Sequence, residues 1–178
     1  MGHHSLDNRK ITMRPDLDQS AYWLYEKPTQ VYRGVFRGYS FPIYNSDNEE
    51  LYYVCRVPYR WDCTTNPKVK IYCYLASAED VGDKFRFDLD YETKDGGNII
   101  PATSHNTYDE VEIVTDYSAQ YSYYVLEMDL DAAQLGCNEL IAGRLRRTSS
   151  SGTEISGEVV VMYMVIEYHV DKCFGEWE

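Results

Sequence analysis

The sequence predicts an all-β protein, an antiparallel two-sheet β-sandwich carrying an extended N-terminal arm. Three observations predict it. Short segments alternate apolar and polar side chains, the period of a half-buried strand. Turn-forming runs such as "NSDNEE", "KDGGN" and "TSSSGTEISG" separate those segments, and helical periodicity is nearly absent. Tyrosine, which is favoured in strands, occurs 18 times against 5 Phe and 3 Trp.

Residues 1–30 are polar, carry Pro15 and Pro28, and show no sustained period, so they read as an arm. Their one apolar cluster is "AYWLY", Ala21–Tyr25. "VYRGVFRGYSFPIY", from Val31, reads as one irregular strand interrupted by Gly34, Gly38 and Pro42, at an edge or bulged. "ELYYVCRVP" then sets Leu51, Tyr53, Cys55 and Val57 against Tyr52, Val54 and Arg56. "KVKIYCYLAS" sets Val69, Ile71, Cys73 and Leu75 against Lys68, Lys70, Tyr72 and Tyr74. The alternation is cleanest in "KFRFDLDYE", with Phe85, Phe87, Leu89 and Tyr91 on one side and Lys84, Arg86, Asp88 and Asp90 on the other. "EVEIV" at 110–114 and "SYYVLEMDL" at 122–130 follow, the latter turning Tyr124, Leu126, Met128 and Leu130 inward. "DAAQLGCNE" allows one helical turn near Ala132–Leu135, and "LIAGRLRR" and "EVVVMYMVIEYHVD" complete the series.

Roughly eight strands in two sheets is the arithmetic of a jelly roll. An immunoglobulin-like sandwich is the alternative, but its Cys…Trp…Cys signature is missing. The expected organisation is an arm over 1–30, a sandwich over 31–172 and a tail over 173–178. Phe85, Phe87, Leu89, Met128, Leu130, Met162, Met164 and Ile166 are the expected core.

The last segment poses a question of cover. One parity (Val160, Met162, Met164, Ile166, Tyr168, Val170) is apolar throughout. The other is apolar at Val159, Val161, Tyr163 and Val165 and polar at Glu167, His169 and Asp171. An outer sheet face in water should be polar, and Tyr52, Val54, Tyr72, Tyr74, Tyr123 and Val125 add to the apolar side. The expectation is an interface formed by Val159, Val161, Tyr163 and Val165. Its cover would be the arm, anchored by Trp23, Leu24 and Tyr25, or another copy of the chain in a homo-oligomer.

Composition narrows the function. Net charge is −12, from 29 acidic and 17 basic residues, which disfavours nucleic acid and anionic lipid as partners. No apolar run reaches the ~18 residues of a membrane span, and the first residues lack the apolar core of a signal peptide. Cys55, Cys63, Cys73, Cys137 and Cys173 are odd in number without a CxxC pair, so the expectation is reduced, mostly buried thiols and a reducing compartment. The histidines His3, His4, His105 and His169 are dispersed, and neither a metal nor a cofactor is expected. Lys84, Arg86, Asp88 and Asp90 read as a solvated face with cross-strand ion pairs. Arg147 falls on the inward parity, where its guanidinium would bind a carboxylate at the sandwich rim. Neither G-x-S-x-G nor a P-loop occurs, and no cysteine carries a nucleophile signature, so no enzymatic activity is expected.

The order "RVPYRWDCTTNPKVKIYCYLAS", "KFRFDLDYETKDGG" and "LEMDLDAAQLGCNELIAGRLRRTSSSGTEISGEVVVMYMVIEYHVD" resembles a diffuse group of β-sandwich proteins. These are encoded by tailed phages and environmental viruses, and the resemblance covers roughly residues 50–172. It implies a virion structural role: a capsid accessory, head–tail or fibre component, assembled in the host cytoplasm with copies of itself or other virion proteins. The alternative is a carbohydrate-binding module whose Trp23, Trp61, Tyr72 and Tyr74 stack on sugar faces.

Overall fold

A computed structural model describes residues 10–13, 16–18, 28–43, 49–94 and 104–170. Its strands are β1 (Lys10–Met13), β2 (Asp16–Asp18), β3 (Thr29–Arg33), β4 (Phe36–Phe41), β5 (Glu50–Arg56) and β6 (Lys68–Leu75), followed by β7 (Lys84–Lys94), β8 (His105–Glu112), β9 (Tyr123–Asp129), β10 (Leu140–Thr148) and β11 (Val159–His169). Helix among the described residues is confined to 3₁₀ turns at Thr115–Tyr117 and Ala132–Gln134, the second where the sequence allows a turn.

Two antiparallel sheets face each other. One runs β3-β4-β11-β6-β9, the other β2-β5-β10-β7-β8. The order β4-β11-β6-β9 against β5-β10-β7-β8 is a jelly roll, with each sheet interleaving strands from both halves of the chain. Between the sheets lie Phe41, Ile71, Leu126 and Ile166 from the first and Leu51, Phe87, Leu89 and Leu145 from the second, all sealed from solvent. Phe87 meets Phe41 edge-on at 5.1 Å.

The cover question is answered inside β11. Pairing with β6 runs Val159↔Leu75 to Val161↔Cys73, then resumes at Tyr163↔Tyr72, so Met162 is an extra residue. A one-residue bulge exchanges the faces of everything beyond it. Val159 and Val161 therefore face the core, fully buried, as do Met164, Ile166 and Tyr168 after the bulge. The expectation that Val159 and Val161 point outward is corrected: the opposite sheet covers them. Met162, expected in the core, sits half-buried at the bulge. On the outer side are Val160, Tyr163 and Val165. A Cβ on Gly38 of β4 would strike the Val160 side chain and the Val161 carbonyl, so glycine is what lets β4 lie against this stretch.

Three further readings change. "VYRGVFRGYSF" is a hairpin, not one strand, because Gly34 adopts φ +58° and turns β3 into β4. The segment read as an aperiodic arm contributes two strands: β1 pairs with the end of β11 (Lys10↔His169 to Met13↔Ile166) and β2 with β5 (Asp16↔Val54 to Asp18↔Tyr52). The "AYWLY" anchor, with Trp23, Leu24 and Tyr25, lies outside the described residues. Finally, Cys63 and Cys137 form a disulfide with Cα atoms 6.4 Å apart, where reduced thiols were expected. Cys55 and Cys73 form no disulfide among the described residues, and Cys73 is buried with its thiol pushed well up by desolvation.

The arginines of β10 are structural. Arg147 is 3% exposed; it pairs with Glu154 at 2.7 Å and donates to the carbonyls of Phe41, Pro42 and Gly157, closing the rim of the sandwich. Asp88 and Asp90, expected on a solvated face, are buried. Arg86 holds Asp88, and Arg144 and Arg146 hold Asp90, which compensates the lost hydration.

Candidate functional site

The outer face of the β3-β4-β11-β6-β9 sheet gathers aromatic side chains from β6, β9 and β11. In β6 the inward parity is taken by Val69, Ile71, Cys73 and Leu75, so Tyr72 and Tyr74 turn outward. In β9 the same logic turns out Tyr123 and Val125. The bulge delivers Tyr163 to this face directly opposite Tyr72, and the two rings stack at 4.3 Å with an interplanar angle of 15°. Tyr123 lies 6.1 Å from Tyr72 on the neighbouring strand.

At one end the β3–β4 hairpin and the loop before β9 raise walls. Tyr121 packs 6.1 Å from Tyr74, and the Arg33 guanidinium carbon lies 3.7 Å from the Tyr121 ring centroid. Arg33, Phe36, Tyr74, Tyr121, Tyr123, Met162 and Tyr163 line a groove of about 510 Å³. Its rings are open to solvent: Phe36 is 60% exposed, Tyr123 47%, Tyr121 39% and Tyr163 38%. At the other end the face turns charged, with Lys70 bridging Glu127 (3.5 Å) and Glu167 (3.1 Å).

Tyr121 reaches the groove through a backbone conformation that bulky residues rarely adopt, with φ 70°. Backbone hydrogen bonds hold it there: its N–H donates to Leu75 O, and Leu75 N–H donates to Ser122 O. Strain of this kind costs about 1–3 kcal/mol and collects at functional sites. The Tyr74 and Tyr123 phenols are neutral at physiological pH. Desolvation, with Tyr163 and Tyr72 close by, pushes Tyr123 up to about 12, and burial raises Tyr74.

A second recess, of about 410 Å³, lies on the other sheet among Tyr52, Asp90, Glu92, Ala142 and Arg144. Most of its polar groups already serve one another, the buried Tyr53 hydroxyl being without a hydrogen-bond partner among the described residues. Arg144 donates to Asp90 and Glu50, both at 2.7 Å; the Tyr52 hydroxyl donates to Glu50 at 2.6 Å; and Asn106 donates to Asp90 at 2.7 Å. It is the weaker candidate. Among the described residues no group of three or more His, Cys, Asp or Glu gathers as a metal site.

The structure thus sorts the residues singled out in the sequence. Tyr72, Tyr74 and Tyr163 share the aromatic face, and Val165 lies on the same side but is nearly closed off. Trp61 offers no ring to a ligand: it is 2% exposed, packs edge-on to Tyr168 and donates its indole N–H to Thr65 O. Trp23 lies outside the described residues. Arg33, Phe36 and Tyr121 went unnoticed in the sequence; the Gly34–Val35 turn was the signal for the first two, and Tyr121 carried none.

No family model matches the chain, and no curated protein matches it. Solved structures do. A family 11 carbohydrate-binding module from Clostridium thermocellum, in complex with a β-1,3-1,4-mixed-linked tetrasaccharide, is 9% identical with a TM-score of 0.45, covering 95% of this chain and 94% of its own. The mannan-recognising module TmCBM27 is 10% identical with a TM-score of 0.48, over 91% of this chain and 99% of its own. A module specific for non-crystalline cellulose is 12% identical with a TM-score of 0.46, over 81% and 82%. The virion-subunit expectation is corrected. The folds found beside this one belong to sugar-binding modules.

Proposed function

We propose that the chain is a non-catalytic carbohydrate-binding module, and that the tyrosine groove is where it binds. The observation that carries this reading is the set of exposed rings of Phe36, Tyr121, Tyr123 and Tyr163 in one groove on a rigid sheet. A pyranose ring presents apolar C–H faces and polar hydroxyl edges. Tyrosine matches both, with a flat apolar body and a polar tip, and it loses little conformational freedom when it binds. A contiguous apolar patch rimmed by polar groups is also what a ligand groove requires. The strained backbone of Tyr121 supports the same reading, because glycine would adopt that conformation more easily but would bring no ring. The Cys63–Cys137 disulfide fits an oxidising compartment, where extracellular polysaccharide is met.

The test is affinity gel electrophoresis against a panel of soluble polysaccharides, followed by calorimetry on the best of them. Tyr123→Ala and Tyr163→Ala should each weaken binding by up to about tenfold, the range of one aromatic contact, with melting temperatures near wild type. If no polysaccharide retards the protein, or both variants bind as wild type does, the proposal fails.

A further inference from the structure

We infer that the groove selects a carboxylated glycan, one whose uronate group is held by Arg33; this rests on the sugar-binding reading above. Among the described groove residues Arg33 alone carries a charge. Several other cations of this acidic chain are neutralised by the fold: Lys70 by Glu127 and Glu167, Arg144 by Glu50 and Asp90, Arg147 by Glu154. No carboxylate of the described residues pairs with Arg33, which is exposed at the end of β3.

What Arg33 does have is a ring beneath it. The guanidinium lies 3.7 Å from the Tyr121 centroid, and Tyr121 is the residue held in the left-handed region. A guanidinium resting on an aromatic face keeps its N–H donors in its own plane, free to meet a carboxylate with two parallel bonds. The aromatic contact therefore positions the cation without consuming its donors. Hydrogen bonds of that charge-assisted kind are about twice as strong as those to a neutral hydroxyl. The groove raises no opposing charge, because Tyr74 and Tyr123 remain protonated. The chain's net charge of −12 acts from a distance and is screened beyond about 8 Å at physiological ionic strength, so it does not cancel a contact inside the groove.

The experiment compares one polymer in two charge states: polygalacturonate, and the same polymer after carboxyl reduction to the neutral polysaccharide. Neutral β-1,3-1,4-glucan and mannan are run alongside. With the full chain, binding to polygalacturonate should be at least tenfold tighter than to its reduced form. It should fall at least tenfold in Arg33→Gln, recover partly in Arg33→Lys, and weaken between 50 and 500 mM salt. Thermal melting confirms that the variants are folded. If the two charge states bind alike and Arg33→Gln changes nothing, the uronate inference is overturned while the sugar-binding reading stands, provided Tyr123→Ala still weakens binding. If no glycan binds, charged or neutral, both are overturned.

Discussion

Breaking the Cys63–Cys137 disulfide by the double substitution Cys63→Ala/Cys137→Ala should destabilise the protein by an amount that follows from the chain it closes. The two residues are 74 apart in sequence. In the chain-entropy account, a loop of that length withdraws about 15 cal/mol/K from the unfolded ensemble, or about 4.5 kcal/mol at 25 °C. Native cross-links deliver part of that figure, so a loss of about 2–4.5 kcal/mol is expected, or roughly 5–15 °C in melting temperature for a chain of this size. The link joins the Trp61–Asn66 loop to the Asp131–Glu139 loop. These loops also touch through Ala132 N–H donating to the Asn66 side chain, so the folded ends stay near one another without the bond. The assay is urea unfolding of the wild type and the double variant, each with and without reductant. Reductant should lower the wild-type midpoint to that of the variant and leave the variant unmoved. Coincident midpoints in all four samples, or peptide mapping that finds Cys63 and Cys137 as free thiols, would refute the reasoning.

Other outcomes follow from the packing and the charges. Phe87→Ala empties a sealed site between Phe41 and Phe85 and should cost about 3–5 kcal/mol in urea unfolding. Arg147→Ala strands Glu154 and the carbonyls of Phe41, Pro42 and Gly157 at the rim; a loss of about 3–5 kcal/mol by the same assay is expected. Tyr121→Gly relieves a left-handed backbone, so its melting temperature should stay level or rise while calorimetry shows weaker glycan binding. Two carboxylates are held below their ordinary range: Glu110 by hydrogen bonds from Ser151 and by Lys84, and Glu127 by Lys68 and Lys70. Their contribution is complete above their unfolded pKa of 4.5 and is lost as pH falls below it through the depressed folded values. The urea midpoint should therefore drop below about pH 4.5, and less steeply in Glu110→Gln/Glu127→Gln.

Alternation was legible wherever both partners of a strand are regular. Phe85, Phe87 and Leu89 in β7 and Leu126 and Met128 in β9 lie in the core as their parity requires. It failed at Met162, because a bulge is set by pairing with β6 and leaves no mark in a uniformly apolar run. Strands as short as β1 and β2 cannot show a period at all. The Cys63–Cys137 partnership was illegible because the two loops meet only once the sheets have formed. Part of the groove, Tyr74, Tyr123 and Tyr163, was readable as surplus tyrosine on a sheet face. Another part was not: Arg33, Phe36 and Tyr121 belong to a hairpin and a loop that topology alone brings to that face.

The strand order has a consequence for how this molecule is made. β10 stands between β5 and β7, and β11 between β4 and β6, so the middle of each sheet comes from the end of the domain. A ribosome that has delivered everything up to Thr148 has produced one sheet whose central strand is missing. β4 and β6 then have no mutual partner, and their open edges are free to recruit other chains. Vectorial folding from the N-terminus is closed to this topology; assembly waits for the last strand, and the long separations of its pairings make that assembly slow. Production should accordingly depend on chaperone capacity and on growth temperature. Chains interrupted within the last two strands should be recovered as aggregate, with none of the half-folded material that a chain of sequential hairpins would leave.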